Sequence, residues 1–356
     1  MVLHIFPKSQ FTEEYIFFIN NHFEKSAHCF ILYTNTAFEL PKYIYEYENV
    51  YDYDNKGLFW LYKKLRKAER IIIHNLGVLV PELALLYFDS SLVKKSMWLI
   101  WGADLYCFLN PRNSVADRIV ERMRRRIIRG FPVIASLTDG DYELAVKWYG
   151  CKSRNIRLDY CEEKTIELMN RYLQEDRKND GTTRILLGNS ATRTNQHIDA
   201  FRMLEHLKND DICIYVPLSY GDKGYAQEVI NEGRRIFGEK LIPLTRYMSR
   251  EEYYKVLYDI DVGIFNNNRQ QGTGNIEALL YYGRKIYLRD DTSMWKEWVD
   301  KEGYVLHCVD RIEDENPKSL SEVTKYEKEK NRELIIRYFD VKKDIQNWKM
   351  AFTLEL

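Results

Sequence analysis

The chain has 356 residues, 45% of them apolar, and its 53 basic side chains balance 53 acidic ones. That length exceeds one ordinary core and fits two domains, while zero net charge argues against a general nucleic-acid binder. No apolar run is long enough to cross a bilayer, so no transmembrane segment is expected.

None of the cysteines at 29, 107, 151, 161, 213 and 308 forms a Cys-x-x-Cys pair, and no histidine cluster accompanies them. A structural zinc site is therefore not expected. The N-terminus, Met1-Val2-Leu3-His4-Ile5-Phe6, reads as a first strand rather than a signal peptide. Reduced thiols and a cytoplasmic location are the default.

Taken along the chain, Val2–Phe6, Cys29–Tyr33, Arg70–His74, Ser96–Trp101 and Val133–Ser136 read as strands. Between them run amphipathic segments that read as helices: Thr12–Glu24 (with Thr12 as cap), Leu58–Lys67, Pro81–Phe88, Ser114–Ile128 and Asp139–Tyr149. The charged stretch Leu168–Thr183 ends in Arg177-Lys178-Asn179-Asp180-Gly181 and reads as a linker. The pattern then restarts with strands at Arg184–Leu187, Ile212–Val216, Leu241–Pro243, Val262–Phe265 and Lys285–Leu288. Helices are expected at Thr194–His206, Ala226–Phe237, Ser249–Tyr258 and Asn275–Tyr282. Ser249-Arg250-Glu251-Glu252 forms a capping box that sets the start of the third. The tail Ser319–Trp348 is helical and charged. This alternation predicts α/β domains with largely parallel sheets: one over 1–170, a second over 182–318, and a tail over 319–356 that packs back toward the first.

In such sheets ligands bind beyond the carboxyl ends of the strands, and the polar, glycine-containing segments fall there. The most informative is Phe265-Asn266-Asn267-Asn268-Arg269-Gln270-Gln271-Gly272-Thr273-Gly274-Asn275-Ile276-Glu277. A buried strand, a turn rich in amides with one Arg and two glycines, and a helix start make a recipe for holding a diphosphate. Gly188-Asn189-Ser190 follows another strand, with Arg193 able to neutralise charge, although Asn and Ser are also ordinary turn residues. His197 is expected one turn into the following helix, as a donor ligand or a partly buried helix residue.

In the first half, Trp101-Gly102-Ala103-Asp104 ends a strand. Asp104 there would face a cleft and could deprotonate an attacking hydroxyl; His74 is the second candidate for that task. Ser114–Arg129 carries Arg118, Arg122, Arg124, Arg125, Arg126 and Arg129 among apolar residues. It reads either as a basic amphipathic membrane-surface helix or as a solvated face with salt bridges. The triplets Asp52-Tyr53-Asp54, Asp139-Gly140-Asp141 and Asp259-Ile260-Asp261 read as structural, the first in a hairpin-like stretch, the second as caps. No required metal or other cofactor is expected.

Together Trp101-Gly102-Ala103-Asp104-Leu105-Tyr106, Gly188-Asn189-Ser190 with Arg193, Asn195 and His197, Val216-Pro217 with Tyr220, and Arg269-Gln270-Gln271-Gly272 with Gly274 resemble glycosyltransferase family 56. The resemblance runs from about His74 to the Trp348 region. It implies a GT-B architecture of two Rossmann-like domains with an interdomain cleft, the first for acceptor and the second for nucleotide sugar. It also implies transfer of 4-acetamido-4,6-dideoxygalactose from a dTDP donor to an undecaprenyl-diphosphate-linked saccharide. The enzyme would then be peripheral, on the cytoplasmic face of the inner membrane. Arg118, Arg122, Arg125, Arg126 and Arg129 would meet the anionic membrane surface or acceptor phosphate. Donor contacts fall on Gly188, Asn189, Ser190, Arg193, Asn195, His197, Pro217, Tyr220, Arg269, Gln270, Gln271, Gly272, Thr273, Gly274 and Glu277. Glu277 departs from the family's type member: an acid there suits ribose hydroxyls and leaves a UDP donor open, or serves as a first-turn acid. Two other classes compete, a nucleotide-sugar epimerase of the same architecture and a non-catalytic nucleotide-sugar or lipid-binding module. A dehydrogenase is excluded, because no Gly-x-Gly-x-x-Gly follows a strand.

Overall fold

The computed structural model describes residues 1–9, 11–34, 39–54, 56–77, 80–160, 163–177 and 180–355. Cys161 and the linker residues Lys178 and Asn179 lie outside the described residues. The chain divides into two compact units, Met1–Glu163 with Asp340–Leu356, and Lys164–Phe339.

The first unit is built on seven strands: β1 (Val2–Pro7), β2 (His28–Tyr33), β3 (Val50–Asp52), β4 (Arg70–His74), β5 (Ser96–Leu99), β6 (Val133–Ser136) and β7 (Arg154–Arg157). They lie in the order β3-β2-β1-β4-β5-β6-β7, every ladder parallel. Both faces are covered by helices, which is why these strands are continuous apolar runs. Leu3 and Ile5 of β1 point into one core, and Phe6 into the other. The last helix, Val341–Thr353, closes the second core with Trp348 and Ala351, both fully buried. The Trp348 indole donates to the carbonyl of Asp159 at 2.8 Å.

The second unit repeats the plan with β8 (Thr183–Leu187), β9 (Ile212–Pro217), β10 (Leu241–Leu244), β11 (Val262–Phe265), β12 (Lys285–Leu288) and β13 (His307–Cys308). Their order is β10-β9-β8-β11-β12-β13, again parallel throughout. Because β8 and β11 are neighbours at the centre, the turns that follow them meet at one sheet edge.

Several local expectations change. The hairpin-like stretch is the parallel edge strand β3, and Asp52 and Asp54 both bind the Lys8 ammonium, at 3.0 and 2.6 Å. Thr12 is not a cap: it opens the helix Thr12–His22, and its hydroxyl donates to the carbonyl of Pro7. Thr138, rather than Asp139 or Asp141, caps the helix Asp139–Tyr149. The helix expected over Thr194–His206 is broken by left-handed Gln196 (φ 50°), so His197 begins the helix His197–Leu204 instead of lying one turn inside it. The tail is not one piece. Its helix Lys325–Tyr338 puts Ile335 into a core of the second unit, and only Val341–Thr353 joins the first.

Candidate active site

The candidate donor site begins where β8 ends. Gly188 takes φ +70°, and a Cβ there would lie 2.8 Å from Nε2 of His197 and 2.9 Å from Oδ1 of Asn195. Only glycine fits, because both the backbone and the space forbid a side chain. Asn195, fully buried, ties this turn together: its Oδ1 accepts from the Asn189 backbone N–H at 3.1 Å, and its Nδ2 donates to the Ser190 carbonyl and the Thr192 hydroxyl at 2.8 Å each. His197 is also fully buried, with Nδ1 3.3 Å from the Tyr225 hydroxyl and no partner for Nε2. Burial lowers its pKa to about 4, so its ring is neutral at pH 7.

The turn after β11 packs on the turn after β8. Gly272 is left-handed (φ +72°), and a Cβ there would come within 3.1 Å of the Asn189 Cβ. The Gln271 amide donates to Oδ1 of Asn189 at 3.2 Å and accepts from the Thr194 hydroxyl at 2.6 Å, and the Asn268 N–H donates to the Thr194 carbonyl. Beyond Gly272 starts the helix Thr273–Tyr281; the Asn275 and Ile276 N–H groups bond the Gly272 carbonyl, and those of Thr273 and Gly274, ahead of them, have no partner within the helix. Gly274 in its first turn has open space where a Cβ would stand. The buried side-chain amide oxygens of Asn266, Asn267 and Gln270 find no partner. Buried polar atoms left so are costly in a folded chain. On these two turns, Nε2 of His197 and three side-chain amide oxygens are left for a polar ligand; the oxygens can only accept, so they suit ligand N–H and O–H groups rather than an anion.

Other expected donor residues are placed as follows. Tyr220, 48% exposed, accepts from the Asn189 amide at 2.9 Å, and its pKa is raised by burial of the hydroxyl. Pro217 is buried at the end of β9, and Ser190 is buried within the Gly188 turn. Arg269 donates to the Gln270 carbonyl at 2.9 Å, and its charge reaches the Tyr220 hydroxyl. Glu277 is buried in the helix Thr273–Tyr281, following the turn. Arg193 is not brought into the turn. It lies over the Tyr225 ring and pairs with Glu228 at 2.7 Å, on the helix Lys223–Phe237. Thr194, Asn266 and Asn267 join these residues at the two turns, and the run of three asparagines is their mark in the sequence.

In the first unit the two expected proton acceptors lie inside. Asp104 is 4% exposed, and its carboxylate accepts from the backbone N–H of Leu76 (2.9 Å) and Trp101 (2.9 Å) and from the Trp98 indole (2.7 Å). Burial pushes its pKa up, against these hydrogen bonds and the Arg124 charge. Rather than facing outward, Asp104 staples the turn after β5 to the turn after β4. Arg124, buried in the helix Val115–Gly130, completes the staple by donating to the carbonyls of Leu76, Gly77 and Asp104.

His74 has no exposed surface. Its Nδ1 lies 2.6 Å from the Tyr160 hydroxyl, which also accepts from the Trp101 indole at 2.7 Å. Its Nε2 lies 3.3 Å from Nδ1 of His4, whose Nε2 lies 3.0 Å from Nδ1 of His28. Burial depresses all three histidines, His28 to about 4, so they are neutral rings in a hydrogen-bonded file across β4, β1 and β2.

The Arg-rich helix, capped by Ser114 and Asp117, divides its arginines. Arg125 pairs with Glu121 at 2.9 Å and Arg129 donates to the Tyr149 carbonyl at 2.6 Å. Arg118, Arg122 and Arg126 are exposed, alongside Val115, Ile119 and, on the adjoining helix Val80–Phe88, Phe88 at 83% exposure. No helix among the described residues is long and apolar enough to cross a membrane. No group of three or more His, Cys, Asp or Glu among them could hold a metal ion.

Two parallel-sheet α/β units, with a polar candidate site at the carboxyl edge of the second sheet, make the GT-B architecture of glycosyltransferases. Solved structures share this fold over nearly the whole chain. One is the trehalose-6-phosphate structure from E. coli bound with UDP-2-fluoro glucose (TM-score 0.67, 11% identity, 100% of both chains). Another is the α,α-trehalose 6-phosphate synthase of Burkholderia multivorans (0.68, 11%, 99% of this chain and 98% of that one). A third is a glycosyltransferase of Rickettsia africae (0.62, 9%, 99% and 97%). Residues 62–355 match the model of one family, and the chain belongs to it: the 4-alpha-L-fucosyltransferases of glycosyl transferase group 56.

Proposed function

We propose that this enzyme passes a deoxy-acetamido sugar of the N-acetylfucosamine type from a dTDP donor to an undecaprenyl-diphosphate-linked saccharide, in bacterial surface-polysaccharide synthesis. The observation that carries the donor half is the gathering of unpartnered buried polar atoms around two left-handed glycine turns. The diphosphate would take the N–H groups opening Thr273–Tyr281, with Arg269 opposing its charge. The amide oxygens of Asn266, Asn267 and Gln270 would accept from sugar or base N–H and O–H groups, and Nε2 of His197 would serve the Gly188 side. Asp104 and His74 take part by holding the turns after β4 and β5 and the Tyr160 hydroxyl in place. Gln271, Asn189 and Tyr220 hold the wall of the site through their mutual hydrogen bonds.

The acceptor half rests on family membership and on the exposed Arg118, Arg122 and Arg126 among apolar side chains. This face suits the anionic cytoplasmic leaflet and would make the enzyme peripheral. A UDP donor is the second reading, favoured by the buried acid Glu277, since a carboxylate can accept from a ribose 2′-hydroxyl that deoxyribose lacks.

A thermal-shift panel of dTDP, UDP and GDP, with Arg269→Ala as control, tests the site. Stabilisation by dTDP that weakens in the variant is expected; preference for UDP selects the second reading. No shift with any nucleotide, or an equal shift in the variant, would overturn the diphosphate assignment.

A further inference from the structure

On the sheet face that Leu3 and Ile5 enter, the helices Leu58–Lys67, Val80–Phe88 and Val115–Gly130 share one core. They send in Leu61 and Leu65, Leu83 and Leu86, and Ile127 and Ile128 respectively. Side chains on the opposite stripe of each helix therefore turn to the outside of one layer. The helices are also tied side by side. Arg66 pairs at 3.2 Å with Asp89, which directly follows Phe88, and the Arg126 guanidinium lies 4.7 Å over the Tyr87 ring. Phe88 thus stands with a basic helix on either side.

Leu58–Lys67 repeats on a smaller scale the pattern of the Arg-rich helix. It carries Lys63, Lys64, Arg66 and Lys67 and no acid. Phe59, 68% exposed, lies one turn before Lys63, whose ammonium sits 4.4 Å over its ring. On Val115–Gly130 an exposed stripe runs through Val115, Ile119, Arg122 and Arg126, at the steps of three and four that keep side chains on one side. Of the three acids in these helices, Glu82 and Glu121 are buried and Asp117 completes the capping box of its helix. The whole chain has no net charge, so the excess of cations belongs to this layer.

Exposed apolar side chains rimmed by charge mark an interaction surface. A second copy of the layer would set cation against cation. A nucleic acid would meet the cations and leave the exposed Phe59, Phe88, Val115 and Ile119 uncovered. An anionic bilayer serves both kinds of side chain.

We propose that the outer faces of these three helices form one lipid-contacting plane. Phe59, Phe88 and Ile119 enter the acyl boundary of an anionic leaflet, and Lys63 and Lys67 bind lipid phosphates beside the exposed arginines. This rests on the peripheral reading above and extends it: docking spans Leu58–Lys67 as well as the Arg-rich helix, and it holds by apolar insertion as well as by charge.

Partition onto mixed phosphatidylserine–phosphatidylcholine vesicles is the test. Lys63→Gln with Lys67→Gln should lower it roughly 30-fold. Phe59→Ser with Phe88→Ser should lower it roughly tenfold and leave its salt dependence unchanged. Lys342→Gln with Lys343→Gln, exposed on the helix that closes the other core of this unit, should change it by less than about threefold. Phe88→Trp should be quenched by brominated acyl chains beyond the wild type's own tryptophans. All these positions are exposed, so melting temperatures should match the wild type's. The inference is overturned if the lysine and phenylalanine pairs at 59–88 partition within about twofold of wild type, or if Phe88→Trp gains no quenching. It is equally overturned if the pair at 342 and 343 costs as much as the pair at 63 and 67, because net charge alone then acts. A dimer in sedimentation that Phe88→Ser abolishes would assign the plane to a second copy instead. Loss of binding in the exposed-arginine variants alone leaves the peripheral reading standing and removes this one. A wild type that ignores anionic vesicles removes both.

Discussion

Replacing Gly188 by alanine adds one methyl group at the point where the candidate site is most tightly built. The methyl would stand 2.8 Å from Nε2 of His197 and 2.9 Å from Oδ1 of Asn195, well inside ordinary contact. Neither neighbour can withdraw cheaply: Asn195 is tied to Asn189, Ser190 and Thr192, and His197 is enclosed beside Tyr225. A left-handed backbone costs an alanine about 1–2 kcal/mol, and overpacking a tight site adds about 1–3 kcal/mol. A loss of about 3 kcal/mol follows, or roughly 6–12 °C in Tm for a domain of this size. Urea unfolding followed by tryptophan fluorescence measures it, and a dTDP thermal shift on the surviving fold should be reduced. Gly274→Ala is the control, because its Cβ meets nothing within 4 Å in the first turn of a helix. It should be neutral or stabilise by up to about 1 kcal/mol. The reasoning is refuted if Gly188→Ala costs less than about 1 kcal/mol, or less than Gly274→Ala.

Acid should destabilise both units through their buried histidines. An unfolded histidine titrates near 6.5, whereas folded His28 and His197 titrate near 4. Between those values the unfolded chain binds more protons, so their contribution is complete above pH 6.5 and is lost as pH falls toward 4. Each should withdraw about 2 kcal/mol by pH 5; a urea midpoint equal at pH 7 and pH 5 would contradict this. On the basic helix, Arg118, Arg122 and Arg126 together replaced by Gln should cut partition onto phosphatidylserine vesicles about 100-fold, at ~1 kcal/mol per arginine. Salt should weaken wild-type binding. Arg124→Gln, which removes the buried donor to the Leu76, Gly77 and Asp104 carbonyls, should instead lower stability and leave partition of the surviving fold nearly unchanged, and the reverse pattern would discount the exposed face.

The parallel architecture was readable because strands covered on both faces are continuous apolar runs, such as Ile71-Ile72-Ile73 in β4 and Ile185-Leu186-Leu187 in β8. The edge strands β3 and β7 of the first sheet were not. In β7, Arg-Asn-Ile-Arg buries only Ile156, and β3 is three residues long, so neither has a period to detect. The turns after β8 and β11 were legible for a related reason: glycines, amides and a helix start are local chemistry, and a local segment records them.

The sequence by itself determined the order of the central strands and of most helices between them, the glycine turns at 188 and 272, the capping box at Ser249 and the arginine content of one helix. These depend on backbone preference and on neighbours a few residues away. Tertiary structure decided which charged groups are enclosed. Asp104, the sequence's choice for a base, is saturated by N–H groups from two turns, while Glu82, which nothing nearby in the chain marks, is buried with an oxygen left over. Of six similar arginines, packing enclosed Arg124 and left Arg118, Arg122, Arg126 and Arg129 outside. Burial and partnering depend on residues brought together from distant parts of the chain, so a short sequence window holds no record of them.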